Sequence, residues 1–141
     1  MSEDRFEEMM AQRGKMLETH GWVVDVVSDT KDSKCASGTG RDIHTHGIEE
    51  SFDHPDLQCV LPVDPKMVHG IFAIIVEMIK KGRKFEAGKC YSDILPNKYK
   101  LRFLEAEEND RKVLRVILPD KEGKLHKELM QEDFRIQFNG I

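Results

Sequence analysis

The chain has 141 residues, with 22 basic and 26 acidic side chains, a net charge of −4 and a pI near 5.9. This length fits one domain spanning residues 1–141. The two signs are interspersed, which excludes the clustered cationic surface of a nucleic-acid-binding protein. With 39% apolar and 34% charged residues, the composition is that of a globular chain and not of a disordered one.

Neither an export signal nor a membrane span is predicted. Residues 1–12 are polar and acidic, and the longest apolar run, at 71–79, is interrupted by Glu77. We therefore expect a cytoplasmic protein. The cysteines are odd in number and widely spaced, which predicts free thiols. They are Cys35, in a polar loop where we expect exposure, Cys59, in an apolar strand, and Cys90.

The first predicted element is a helix over residues 3–19. Ser2 can cap its start and Gly21 ends it. Its methionine-rich apolar stripe favours packing against a partner as well as against the core. The partner predicted on this ground is a second copy of the chain, forming a homodimer.

Three short strands are predicted next, because β-branched or apolar residues cluster between polar turns. They cover residues 22–27, 42–48 and 57–61, separated by a loop at 28–40 and a turn at 49–55.

The clearest helix follows. Asp64 occupies the N-cap position, Pro65 the first helical position, and Gly82 the position just past the end. Between them, the apolar residues form one broad face at helical spacing.

The last third of the chain predicts further strands. Strands at 99–103 and 113–118 form a hairpin through the turn at 107–111, a helical turn covers 125–131, and a final strand covers 134–138. Together these elements predict an α+β fold, in which a mixed, largely antiparallel sheet of five or six strands carries two main helices.

The most specific chemical feature is a run of histidines. On a strand, the two-residue period places Asp42, His44 and His46 on one face. His54 follows after a short loop and can supply a third metal ligand. Three protein ligands and a water fit a zinc site, and two histidines with a carboxylate fit ferrous iron.

Each histidine also has a simpler interpretation. His44 and His46 can pack or form hydrogen bonds without a metal, and His54 can shape the turn before Pro55. Without metal, an imidazole near neutral pH can still act as a general base. The candidates for that catalytic role are His54 and His46.

The segments His44-Thr45-His46-Gly47-Ile48 and His54-Pro55-Asp56-Leu57 resemble a bacterial family of domains of unknown function, numbered 4262. That family typically shows a Tyr-Thr-x-Gly-Leu strand followed by a Gly-His-Pro-Glu-Leu turn. The resemblance covers about residues 18–120. Since His44 and His46 replace the family's tyrosine and variable residue, it implies that His54 alone is a family-level site residue. It implies a fold and a cellular location, but no activity.

Two functions follow from these observations. The first is a binding module for a small molecule or a protein partner, with a histidine-lined site. The alternative is a metal-dependent enzyme, such as a hydrolase, that uses zinc or iron bound by His44, His46 and His54. The absence of a complete catalytic constellation favours the binding module.

Overall fold

The computed structural model describes residues 20–32, 34–35 and 38–141. The helix predicted over 3–19, and with it the predicted homodimer contact, lies outside the described residues. Within them, six strands form one sheet. The strands are β1 (Val23–Ser28), β2 (Arg41–His46), β3 (Leu57–Cys59), β4 (Cys90–Tyr91), β5 (Leu101–Glu108) and β6 (Arg111–Ile117).

The strand order across the sheet is β1-β2-β3-β6-β5-β4. All neighbouring strands are antiparallel except β3 and β6, which are parallel. Parallel neighbours need a long crossover connection, and here the chain between them includes the long helix. The architecture confirms the predicted α+β class with its mixed, largely antiparallel sheet.

Two α-helices lie in the described part of the chain, α1 (Ile48–Phe52) and α2 (Pro65–Lys80). The α2 helix begins as predicted, because the Asp64 side chain accepts a hydrogen bond of 2.9 Å from the backbone N–H of Lys66. The predicted strand at 42–48 is shorter, ending at His46, and α1 occupies part of the predicted turn. No helix in the described ranges has the length and apolar character to cross a membrane.

The β5–β6 hairpin confirms the predicted turn. Asn109 and Asp110 connect the strands, and both have positive φ angles, of 46° and 65°. Positive φ at both central residues defines the type I′ turn, whose twist matches that of paired strands. This turn fixes the register that places Glu108 opposite Arg111.

The strand predicted at 134–138 is wrong, because Glu132–Phe138 is a 3-10 helix. The side chain of Gln137 provides the reason. Its amide accepts a hydrogen bond of 2.7 Å from the Leu118 N–H and donates one of 3.0 Å to the Leu118 carbonyl. The side chain therefore satisfies backbone groups just beyond β6 that a paired strand would otherwise satisfy. The other 3-10 turns are Pro96–Lys98 and Lys127–Leu129.

The sheet has two unlike faces, because successive residues of each strand point in opposite directions. On the core face, apolar side chains of the central strands pack in one cluster with the buried side of α2. They include Ile43, Leu57, Phe103, Leu114 and Val116, against Phe72 and Ile75 of the helix. On the polar face, cross-strand pairing aligns one row of side chains: Asp25, His44, Gln58 and Arg115.

Candidate functional site

His44 and His46 project from the polar face of β2. Their ring centroids are 5.0 Å apart and the rings meet edge to face. Thr45, between them, points to the other side, where its hydroxyl donates to Asp56. The predicted placement of both imidazoles on one face of one strand is confirmed.

His44 lies between two buried carboxylates. Its Nδ1 is 3.1 Å from an oxygen of Asp42, and its Nε2 is 2.9 Å from an oxygen of Glu108. The imidazole and Glu108 are each about 5% exposed. Because a carboxylate can only accept, hydrogen bonds at both nitrogens require two protons shared among the three groups. The arrangement fixes the direction of the ring and concentrates negative charge around it.

A second set of polar side chains holds Asp42 in place. The amide of Gln58 donates a hydrogen bond of 3.0 Å to Asp42, and its oxygen accepts one of 2.9 Å from Arg115. Arg115 in turn donates to the backbone carbonyls of Gln137 and Asn139. This chain of bonds ties the C-terminal segment to the polar face, so the position of Asp42 depends on residues from three other parts of the sequence.

Glu108 is anchored by Arg111. The guanidinium Nε lies 3.0 Å from the second oxygen of Glu108, and an Nη lies 3.2 Å from Asp56. Asp56 also accepts hydrogen bonds from the Thr45 hydroxyl and from the Ile48 backbone N–H at the start of α1. Because Arg111 is bound by both Glu108 and Asp56, it holds the Glu108 carboxylate in one position.

His46 lies at the more open end of the site. Its Nε2 is 3.2 Å from an oxygen of Asp25, and the two side chains are 37% and 32% exposed. Desolvation lowers the pKa of His46 below its ordinary value, and the positive charge of Arg111 lowers it further. Burial therefore favours the neutral form of this ring.

Asp25, His44 and His46 form a group that can hold a metal ion. One ligand atom from each residue lies within 4.8 Å of the others. The cross-strand register produces this group, because Asp25 pairs directly with His44. Among the described residues, His54 does not join it. The predicted set of His44, His46 and His54 is thus not brought together, and Asp25 takes the place of His54.

His54 instead braces two loops. Its Nδ1 lies 2.9 Å from the Pro55 carbonyl, and its Nε2 accepts a hydrogen bond of 3.1 Å from the Phe85 N–H. Since a carbonyl only accepts, Nδ1 carries the proton and the neutral tautomer is fixed. Burial also lowers the pKa of His54. Both ring nitrogens are bound to backbone, and the side chain is not among those lining the cavity described next.

A cavity of about 480 Å³ opens beside His44 on the polar face. Volumes of this size accommodate small molecules. Five of the residues that line it belong to the network described above: Asp42, His44, Gln58, Glu108 and Arg115. The other polar or charged residues in the lining include Glu105, Glu107, Asn109 and Asn139.

All three cysteines are free thiols, as predicted. The expected exposure of Cys35 is wrong, because its Sγ is buried, donates to the Val27 carbonyl at 3.3 Å and lines the cavity. Burial raises the pKa of this thiol. Cys59 lies in the core, as predicted, and burial raises its pKa to about 12. Neither buried thiol is activated as a nucleophile.

Several site residues were not identified from the sequence. Three of them left a signal, because Asp25, Gln58 and Arg115 are polar residues inside otherwise apolar strands. Glu108 and Arg111 left none that stands out from the many charged residues on the chain. Their proximity to the histidines depends on strand register, which the sequence pattern does not specify.

The fold and the site together define an α+β domain with a helix-covered core on one sheet face and a histidine–carboxylate network with a cavity on the other. The model of one family, described as a domain of unknown function (DUF4262), matches residues 16–126, and the chain belongs to this family. The resemblance predicted from the motifs around His44 and His54 is thereby confirmed. No curated protein and no solved structure matches the chain.

Proposed function

We propose that this domain is a binding module for a small polar molecule, held in the cavity beside His44. The observation that carries the proposal is the cavity itself, about 480 Å³ in volume and lined by side chains that are already fixed. Asp42, His44 and Glu108 each bond to neighbouring residues before any ligand arrives. Preorganised polar groups cost little entropy on binding, and they are typical of specific small-molecule sites.

The charges lining the cavity indicate the class of ligand. The acidic residues that line it are Asp42, Glu105, Glu107 and Glu108, whereas Arg115 is the one lysine or arginine in the lining. Two donor nitrogens of Arg115 are bound to Gln58 and to backbone carbonyls. Each carboxylate oxygen can accept more than one hydrogen bond. The site therefore favours a ligand that donates hydrogen bonds and carries positive charge, such as a small amine.

The alternative, a metal-dependent hydrolase built on His44, His46 and His54, has less support. Both ring nitrogens of His54 are bound to the backbone of Pro55 and Phe85. A metal ligand needs a nitrogen lone pair, so His54 acting as one would leave the buried backbone N–H of Phe85 without its acceptor.

Isothermal titration calorimetry with two probes of equal length tests the proposal. We expect 1,4-diaminobutane to bind at least tenfold more tightly than succinate, its dianionic counterpart, a difference of about 1.4 kcal/mol. Glu108→Gln should weaken the diamine by about tenfold or more, because a charge-assisted hydrogen bond is lost. Equal affinity for the two probes, or no binding of the diamine at about 10 mM, would contradict the proposal.

Asp120→Asn is the matched control, because Asp120 is also a buried carboxylate that accepts several hydrogen bonds, in its case from the backbone N–H groups of Glu122, Lys124 and Gln131. Both variants should lower the melting temperature, and only Glu108→Gln should lower affinity for the diamine. If the two variants weaken binding equally, the effect on affinity reflects stability and the site is not the cavity.

A further inference from the structure

We propose that Asp25, His44 and His46 bind one zinc ion, with a fourth coordination position left open toward the cavity. This goes beyond the binding of a small molecule, because Asp25 and His46 lie outside the set of side chains that line the cavity. The site uses two adjacent strands, and its ligands are two imidazoles and a carboxylate, a donor set that zinc accepts.

The geometry allows the ion to enter with small side-chain movements. The three ligand atoms lie within 4.8 Å of one another, whereas ligand atoms about 2.0–2.2 Å from a tetrahedral zinc are about 3.3 Å apart. His44 is held rigidly by its buried neighbours. Asp25 and His46 are about one-third exposed, so they are the two ligands with room to close around the ion.

The surroundings of His44 match those of a metal ligand. Metal-bound histidines usually donate their second ring N–H to a carboxylate, which orients the ring and makes it more basic. Nδ1 of His44 lies 3.1 Å from Asp42 and Nε2 lies 2.9 Å from Glu108, so a zinc ion bound at Nε2 would take the place of the proton between His44 and Glu108. Asp42 is itself held by Gln58. The chain of hydrogen bonds from His44 through Asp42 to Gln58 therefore orients this imidazole as a metal ligand would be oriented.

The local charge also favours a cation. Asp25, Asp42 and Glu108 place three carboxylates around the two imidazoles, and Arg111 is the cation bonded directly to this group through Glu108. Glu108 lies 2.9 Å from His44 Nε2. The ion would displace Glu108 from this nitrogen, and the displaced carboxylate would lie beside the ion, where it can accept a hydrogen bond from a zinc-bound water.

Titration of metal-free protein with zinc chloride tests the site. We expect one ion per chain with a Kd of about 1 μM or tighter, and a cobalt-substituted protein with the visible absorption of a four-coordinate ion. Asp25→Asn and His46→Gln should each weaken zinc by at least about 100-fold, and Asp42→Asn by about 10–100-fold at unchanged stoichiometry. Since Asp25 and His46 are partly exposed, these two variants should keep the wild-type melting temperature.

The matched controls are His126→Gln and Asp133→Asn, which remove an exposed histidine and an exposed carboxylate elsewhere. They should bind zinc as the wild type does. Affinity weaker than about 100 μM, or equal loss in the controls and the site variants, would overturn the proposal by showing only adventitious surface binding. Metal-free protein and Asp25→Asn should still bind 1,4-diaminobutane, so failure of the zinc site and failure of the proposed ligand cavity give different results.

Discussion

Arg115 lies on β6 between Leu114 and Val116, but its side chain is on the opposite face of the sheet. Leu114 and Val116 join the large apolar cluster with the α2 helix, whereas Arg115 bonds to Gln58 and to the C-terminal segment. Packing on the core face is non-directional and depends on the area removed from water. On the polar face, each buried group needs a particular partner. The core face therefore contributes most of the stability, and the polar face determines which side chains are held in position for binding.

The largest effect should come from the core face. Phe103 is fully buried in the apolar cluster, and Phe103→Ala should lower the free energy of unfolding by about 3–5 kcal/mol, because it creates a cavity. Urea denaturation followed by circular dichroism measures this change. Tyr99→Ala is the control, since Tyr99 is 42% exposed, and it should cost far less. An equal cost for the two variants would show that the sheet and helix are not closely packed.

An intermediate effect should come from the polar network. Arg115→Met preserves much of the side-chain volume but leaves the Gln58 oxygen and two backbone carbonyls without their donor. We expect a loss of about 1–3 kcal/mol in unfolding free energy, together with faster amide hydrogen exchange in residues 137–141.

The control for this change is Arg102→Met, on the neighbouring strand, where the guanidinium makes one longer bond of 3.3 Å to the Leu125 carbonyl. It should cost less than about 1 kcal/mol. If hydrogen exchange at the C-terminus is the same in both variants, Arg115 does not tie that segment to the sheet.

The smallest effect distinguishes the bracing histidine from those of the site. His54→Ala leaves the buried Phe85 N–H without its acceptor and should cost about 1–2 kcal/mol at pH 7.5. The wild type should also lose stability as the pH falls below the ordinary value near 6.5. Because burial lowers the pKa of folded His54, the unfolded chain binds a proton in this window and the folded chain does not.

Thermal unfolding from pH 7.5 down to 5 measures both effects. His54→Ala should flatten the acid-side loss of stability, and His126→Ala, at an exposed position, should leave it unchanged. Binding of zinc and of 1,4-diaminobutane should be the same in His54→Ala as in the wild type. If a folded His54→Ala protein lost binding of zinc or of the diamine, His54 would belong to the functional site.

Local features of the sequence determined the elements whose signals lie within a few residues. Asp64, Pro65 and Gly82 bound the α2 helix because capping and backbone restriction act on neighbouring groups. The Asn109-Asp110 turn forms because both residues tolerate positive φ. The two-residue period of a strand placed Asp42, His44 and His46 together.

Tertiary structure alone decided which partners those histidines have. Glu108 reaches His44, and Asp25 reaches His46, because of strand order and register, which depend on the pairing of distant segments. The same limit explains the 3-10 helix at Glu132–Phe138. Its alternating apolar residues predict a strand, but in the fold the side-chain amide of Gln137 forms hydrogen bonds with the backbone N–H and carbonyl of Leu118. A periodic pattern specifies which face a side chain takes, but only the folded chain determines what lies opposite it.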